Sequence, residues 1–267
     1  MHLVVCAKQI LDPETPPAAF QIDEAKKEVI PAQGLAPVLS PIDAQAAEAA
    51  LQIAEEHGDT RITVLSRGKE SAQQAIKQVL AMGADEGLLL EDDAFENGDS
   101  YTTVRVIATA VEKLGDVDAV FCGRLAADWD FGVVGLGVAA TLGWPCSIVA
   151  KEASISDGKL IVKRILPDGL ETVETALPAV VTISDLFGAP RYPKLQQIMQ
   201  AAKKNVTRWT AEDLGLDPST VGAAGARLKL ERLFMPTIDT TVEFMEGDTV
   251  ADQAQALAQA LRAAKII

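Results

Sequence analysis

The sequence contains very little histidine and cysteine. Among its 267 residues there are two histidines and three cysteines, and no two cysteines have the CxxC spacing of a metal site or redox motif. An odd number of scattered cysteines argues against a disulfide framework. His2 lies next to the terminus, and His57 lies in EEHGD, which is typical of a helix end. Histidine-based catalytic triads and histidine-rich metal sites are therefore excluded.

Positive charge is also scarce. The formal net charge is −14, with 24 basic against 38 acidic residues. A protein this acidic is a poor general ligand of nucleic acid or anionic membranes. We expect no nucleic-acid partner.

Long hydrophobic runs are absent, except for one uncharged stretch at 132–150. This stretch contains four glycines and a Trp-Pro break, so we interpret it as a helix, a turn and a buried strand rather than a membrane span. The short apolar run before Lys8 does not resemble a signal peptide. We expect a soluble, cytoplasmic protein.

Three nucleotide-binding and catalytic patterns are missing: GxxxxGK[ST], GxGxxG and GxSxG. Their absence argues against a P-loop ATPase and a nucleophile-elbow hydrolase. If the protein has a redox function, a cofactor must supply the chemistry.

The first 142 residues alternate between short apolar runs and helix-like segments. The predicted strands are 2–7, 61–65, 87–90 and 118–122, and the predicted helices are 43–56, 71–82, 100–114 and one ending near 142. Ser40-Pro41 is a helix-start signal, and Asp99 or Ser100 is the expected cap of the third helix. The alternation predicts an α/β fold with a parallel, doubly wound sheet.

After Pro145 the pattern becomes strand-rich. Strands are predicted at 147–155, 159–166, 171–176 and 179–184, with hairpin signals at Asp157-Gly158 and Asp168-Gly169. Further on, RLKLERLF (227–234) is strand-like, 249–264 reads as an amphipathic helix, and 13–39 is a long loop with room for a small hairpin. The predicted divisions are 1–185 (the α/β part with its antiparallel extension), 186–205 and 206–267.

The loop GRLAADWDFGVVG (123–135) joins a predicted strand to a predicted helix. Two interpretations remain open from the residues alone. Either its backbone N–H groups and the helix dipole hold a ligand, or its glycines allow close helix packing with Asp130 as the N-cap.

Several stretches resemble the beta subunit of electron transfer flavoproteins, over nearly the whole chain. They are VVCAKQILD (4–12), LSPIDAQAAEAALQIAEEHG (39–58), ITVLSRG (62–68), VLAMGADEGLLL (79–90), DAVFCGRLAADWDFGVVG (118–135) and APRYPKLQQIMQAAKK (189–204).

The resemblance implies an adenine-nucleotide alpha hydrolase-like sheet and a heterodimer with an alpha subunit that shares FAD. It implies AMP in the beta-subunit site, or a second FAD in flavin-bifurcating members that use NADH. The cofactor-binding residues carried over are Cys6, Ser40, Arg67, Gly123, Arg124, Leu125, Ala126, Asp128, Trp129, Asp130, Phe131, Gly132, Val133 and Val134.

The resemblance also implies partner contacts. A segment at 186–205 would dock to an acyl-CoA dehydrogenase through Tyr192, Leu195, Ile198 and Met199, and the C-terminal tail at 206–267 would contact the alpha subunit. The implied electron acceptor is a membrane-bound quinone reductase or another redox protein. An alternative of another class is a nucleotide-binding sensor of the universal-stress type.

The 123–135 loop departs from the family pattern at three positions. Trp129, Phe131 and Val133 stand where small, acidic or polar side chains are usual. Backbone amides and aromatic stacking would have to replace the usual polar contacts to a nucleotide. From the sequence, the second nucleotide is AMP, FAD or absent.

Overall fold

The computed structural model describes residues 1–236 and 240–267. These form two compact units, Met1–Leu233 and Phe234–Ile267. The first unit contains thirteen strands and six helices within the described residues. The strands are β1 His2–Cys6, β2 Gln9–Ile10, β3 Gln21–Asp23, β4 Glu28–Ile30, β5 Val38–Leu39, β6 Arg61–Arg67, β7 Glu86–Leu90, β8 Ala119–Gly123, β9 Cys146–Ser156, β10 Lys159–Leu166, β11 Gly169–Ala176, β12 Ala179–Ile183 and β13 Val206–Trp209. The helices are α1 Pro41–His57, α2 Gln73–Met82, α3 Ser100–Leu114, α4 Val134–Leu142, α5 Leu195–Lys203 and α6 Gly222–Gly225; the second unit contains α7 Val250–Ala263.

A nine-stranded sheet organises the first unit, in the order β11-β10-β9-β12-β8-β1-β6-β7-β13. The strands from β9 through β12, β8, β1, β6 and β7 to β13 pair in parallel. Strands β10 and β11 extend this sheet in antiparallel pairing. The predicted α/β fold is confirmed.

Helices cover both faces of the sheet. Buried residues of α1 and α2 pack with Leu3 and Val5 of β1 on one face. Residues of α3 and α4 pack with Val4 and with Val120 of β8 on the other. Because successive side chains of a strand point to opposite faces, the uninterrupted apolar run in β1 serves both layers.

The antiparallel extension follows the hairpin signals. Asp157 and Gly158 both have positive φ, as a two-residue type I′ turn between β9 and β10 requires. Strand β9 also contains an irregularity at Val149, whose φ is +57° and where the register with β12 shifts. The Val149 amide donates to the Thr182 hydroxyl at 3.0 Å.

The structure differs from the sequence expectations in the C-terminal third. RLKLERLF is not a strand: residues 226–234 are irregular, and the amides of Arg227 and Leu228 donate to the Asp99 carboxylate instead of to a neighbouring strand. Strand β13 was not predicted, yet it pairs with β7 at the sheet edge. The boundary between the two compact units falls at Leu233/Phe234. The predicted divisions at 185 and 205 stay predictions.

Two smaller expectations are confirmed. Strands β3 and β4 form a short hairpin inside the 13–39 loop. Helix α7 coincides with the predicted C-terminal helix, and Thr249 caps it by accepting from the Asp252 amide. The contact of this tail with an alpha subunit stays a prediction.

Candidate functional site

The carboxyl ends of β1, β6 and β8 lie side by side at one edge of the sheet. The chain runs from β1 outward to β6 and β7, and then returns to the other side of β1 as β8. Such a reversal of strand order opens a crevice where ligands of doubly wound folds bind. The structure brings Cys6, Arg67 and Gly123, three of the residues carried over by the resemblance, to this edge.

Asp43, in the first turn of α1, ties the two sides of this crevice together. Its carboxylate accepts from the Lys8 amide at 2.9 Å and from the Gly123 amide at 3.1 Å. A Cβ added to Gly123 would lie 2.5 Å from the Asp43 Oδ1 atom, so glycine is required there. Burial raises the pKa of Asp43 to about 7, although the two amides oppose this shift.

Asp43 is not among the site residues predicted from the sequence. An aspartate is common in the first turn of a helix because its negative charge interacts favourably with the helix dipole. This common role accounts for Asp43 in the sequence without a binding site. Only the fold shows that its carboxylate is buried between two strand ends.

An ion pair joins the 124–133 loop to the segment that follows β1. The Lys8 Nζ atom lies 2.7 Å from the Asp128 Oδ1 atom, so the carboxylate that would repel a phosphate is neutralised. Asp130 and Gly132 both have positive φ, which turns the chain into α4. Among the described residues, α4 has no side-chain cap and its N-cap is Val133. The expectation of Asp130 as N-cap is therefore wrong, because left-handed Asp130 lies three residues before the cap.

The substituted aromatic residues form a pair. The ring centroids of Trp129 and Phe131 are 6.1 Å apart with an interplanar angle of 21°. Their side chains remain 44% and 60% exposed, so each could offer a ring face to a ligand. Val133 is also exposed.

The rest of the loop is shaped by backbone contacts. The carbonyl of Ala126 accepts from the amides of Trp129 and Asp130, and Leu125 is half-buried beside this turn. Val134 begins α4. Arg124 pairs with Asp185 at 2.9 Å, and this hydrogen bond lowers the pKa of Asp185.

Ser40 and Arg67 bring polar atoms to the same edge. The buried Ser40 hydroxyl has no hydrogen-bond partner in the part of the chain that the structure describes. Arg67 donates through Nη2 to the Phe95 carbonyl, while its Nε atom has no partner among the described atoms. Burial lowers the pKa of Arg67. Polar atoms left without partners at a crevice are suited to a polar ligand.

These observations fit a polar, anionic ligand. The uncapped first turn of α4 offers amides and a positive dipole end to a phosphate. Three further features are compatible with a phosphate here. They are the absence of a side chain at Gly123, the charge pairing of Asp128 with Lys8, and the Arg67 Nε atom, which has no partner among the described atoms. No group of three or more His, Cys, Asp or Glu suited to a metal occurs in residues 1–236 and 240–267.

The predicted partner-binding residues lie elsewhere, on and just before α5. Tyr192 is 92% exposed and Leu195 is 73% exposed. Ile198 and Met199 are exposed on the same helix. Leu195, Ile198 and Met199 have the i, i+3, i+4 spacing of one helix face, and Tyr192 is exposed in the segment just before α5.

The cysteines are free thiols, as expected from their spacing. Cys6 packs beside buried Cys122, and this contact together with burial raises the pKa of Cys122 well above its usual range. Within the described residues, no helix is both long and apolar enough to cross a membrane.

The fold defines a doubly wound α/β protein with a crevice at the reversal of strand order. The chain matches the family model "Electron transfer flavoprotein domain" over residues 28–214. It is 35% identical over 267 residues to "Caffeyl-CoA reductase-Etf complex subunit CarD" of Acetobacterium woodii, with 100% of both chains covered. It is also 35% identical over 268 residues to "Electron transfer flavoprotein subunit beta" of Thermoanaerobacterium thermosaccharolyticum, again covering 100% of both.

A third relative is "Protein FixA" of Azorhizobium caulinodans, 33% identical over 258 residues, which covers 92% of this chain and 90% of the relative. The chain therefore belongs to the electron transfer flavoprotein family, in the group of beta subunits and FixA proteins.

Proposed function

We propose that this chain is the beta subunit of a heterodimeric electron transfer flavoprotein in the cytoplasm. The observation that carries the proposal is the similarity to beta subunits over the full length of the chain. Its alpha partner shares the electron-carrying FAD, and the pair accepts electrons from a flavoenzyme and passes them to a second redox protein. Free, unpaired thiols fit a reducing compartment. A universal-stress-type sensor has no support from these full-length relatives.

In this proposal the crevice beside Asp43 holds AMP. The phosphate lies at the first turn of α4, and the loop amides supply the contacts that polar side chains supply elsewhere in the family. The Lys8 ammonium offsets the Asp128 carboxylate charge, which would otherwise repel the phosphate. The Trp129 and Phe131 rings cover the nucleotide from the solvent side.

The electron donor in this proposal is a dehydrogenase or reductase of CoA esters. One relative is named as a subunit of a caffeyl-CoA reductase-Etf complex, which associates that protein with a CoA-ester enzyme. Here the exposed side chains of Tyr192, Leu195, Ile198 and Met199 would enter an apolar pocket of the donor. A membrane-bound quinone reductase is the proposed acceptor.

Counting the cofactors tests the proposal. The chain is co-expressed with its alpha subunit, the complex is purified and denatured, and FAD and AMP are quantified by chromatography. We expect one FAD and one AMP per heterodimer. Two FAD and no AMP would replace the proposal with its flavin-bifurcating alternative. A flavin-free complex that takes no electrons from acyl-CoA dehydrogenases would overturn it.

Truncating Leu195 tests the docking surface. Loss of a well-packed apolar anchor costs about 2 kcal/mol, or roughly a 30-fold rise in the KM for the donor enzyme. Butyryl-CoA dehydrogenase reduced by butyryl-CoA serves as the donor. Leu195→Ala should leave the FAD and AMP content unchanged, and Leu170→Ala, at a half-exposed leucine on β11, is the matched control. An unchanged KM in Leu195→Ala would refute the anchor role.

A further inference from the structure

Helix α5 is held to the protein by very little apolar burial. Of its nine residues only Ala201 is buried, while Leu195, Ile198 and Met199 are exposed. A nine-residue helix is marginal in water without packing. Polar contacts at its two ends must therefore fix its position.

The segment leading into α5 is fastened to α1 through Arg191. The buried Glu48 carboxylate accepts from the Arg191 amide at 3.0 Å, from its Nε atom at 2.8 Å and from its Nη2 atom at 3.1 Å. The Arg191 guanidinium also reaches Glu55, which lies about two turns further along the same face of α1. These contacts lower the pKa of Glu48 and raise that of Arg191.

The other end of α5 is fastened by Lys77 of α2. The Lys77 Nζ atom donates to the carbonyls of Ala201 at 3.0 Å and Ala202 at 3.2 Å, and also to that of Lys204. Lys204 in turn donates to the Ala84 carbonyl at 2.7 Å. The last carbonyls of a helix lack internal partners, so a cation placed there both satisfies them and complements the dipole.

We propose that Arg191 and Lys77 are positioning residues for partner recognition, which hold the two ends of α5 so that its exposed apolar side chains are presented in one fixed orientation. The inference rests on the proposed function, because it assumes that this surface docks to an electron donor. A surface that is ordered before binding loses less conformational entropy on association. Neither residue needs to contact the donor.

Arg191→Gln removes the guanidinium contacts to Glu48 and Glu55, and Lys77→Met removes the ammonium contacts while nearly keeping the side-chain length. Amide hydrogen exchange is measured on both heterodimers, with butyryl-CoA dehydrogenase and butyryl-CoA as the donor in steady-state assays. We expect exchange across 192–204 to accelerate by roughly tenfold or more, since opening of this segment would become easier. The KM for the donor should rise about tenfold with kcat and FAD content unchanged.

A conservative variant and a distant variant distinguish a specific effect on the position of α5 from a general loss of stability. Lys77→Arg keeps a cation at this position, so its KM for the donor should stay close to that of the parent protein. Lys26→Met changes an exposed lysine that is distant from α5 in the sequence, and it should alter neither the hydrogen exchange of 192–204 nor the KM. Unchanged exchange in 192–204, or an unchanged KM in both fastening variants, would overturn the inference. If Leu195→Ala raises the KM but the fastening variants do not, only this inference fails. If Leu195→Ala also has no effect, the proposed docking function fails.

Discussion

Replacing Asp43 with asparagine should change how the stability of the protein depends on pH. In the folded protein the pKa of Asp43 is about 7, compared with 3.8 for the free side chain. The folded state therefore binds this proton more tightly than the unfolded state does. The resulting contribution to stability is complete below pH 3.8 and is lost as the pH rises through 7.

The magnitude follows from the two pKa values. Each pKa unit corresponds to about 1.4 kcal/mol, so the folded protein should lose roughly 2–3 kcal/mol through this group between pH 5 and pH 7. Asparagine cannot titrate, so the variant lacks this loss. It pays a separate cost of about 1–3 kcal/mol that is independent of pH, because its NH2 group faces the Lys8 or the Gly123 amide.

The assay is urea unfolding of both proteins at pH 5, 6, 7 and 8, with the difference in unfolding free energy plotted against pH. Taking the difference cancels the other titrating groups. Asp130→Asn is the matched control because Asp130 lies exposed in the nearby loop, and asparagine tolerates its positive φ. A difference that stays flat from pH 5 to pH 8 would refute the reasoning that Asp43 is buried with a raised pKa.

Three further predictions concern single contacts. Val149→Gly should raise the unfolding free energy by about 1 kcal/mol in urea titrations, because a β-branched residue is strained at φ +57°. Gly137→Ala should lower it by about 1–3 kcal/mol, since the new Cβ would lie 2.5 Å from the Val104 Cγ2 atom, and Val104→Ala should restore part of the loss. Lys8→Met should change stability by less than about 1 kcal/mol, yet lower the AMP retained per heterodimer, because Asp128 is left as an unpaired carboxylate near the proposed phosphate.

Each of these has a contradicting outcome. A destabilised Val149→Gly protein would mean that the glycine's extra unfolded-state entropy outweighs the relieved strain. A Gly137→Ala protein of unchanged stability would show that α3 and α4 separate easily. Full AMP retention in Lys8→Met, measured by chromatography after denaturation, would show that the Lys8–Asp128 ion pair does not contribute to nucleotide binding.

The parallel half of the fold could be predicted because its signals are local. Each strand is a short apolar run, and caps such as Asp99, which accepts from the Thr102 amide, mark where a helix begins. The hairpins were found for the same reason, since Asp157-Gly158 specifies its turn without distant contacts.

What the sequence could not predict depends on distant contacts. Strand β13 has four residues with little apolar pattern, and it is a strand because β7 offers an open edge. RLKLERLF has a strand-like pattern but meets no open edge, so its amides bind Asp99. The burial of Asp43 and the Arg191–Glu48 contact join residues 80 and 143 positions apart, and residue type alone does not indicate such pairs.

The open edge of the sheet at β11 affects how the protein can associate. Unpaired backbone at a strand edge invites another strand to add to it, unless charged side chains interrupt the surface. Glu171 and Glu174 of β11 are paired with Arg164 and Lys159 of β10, so a strand added here would disturb charges that are already matched. We therefore expect the charged hairpin to disfavour strand addition at its edge, which leaves the helical surfaces for complex formation.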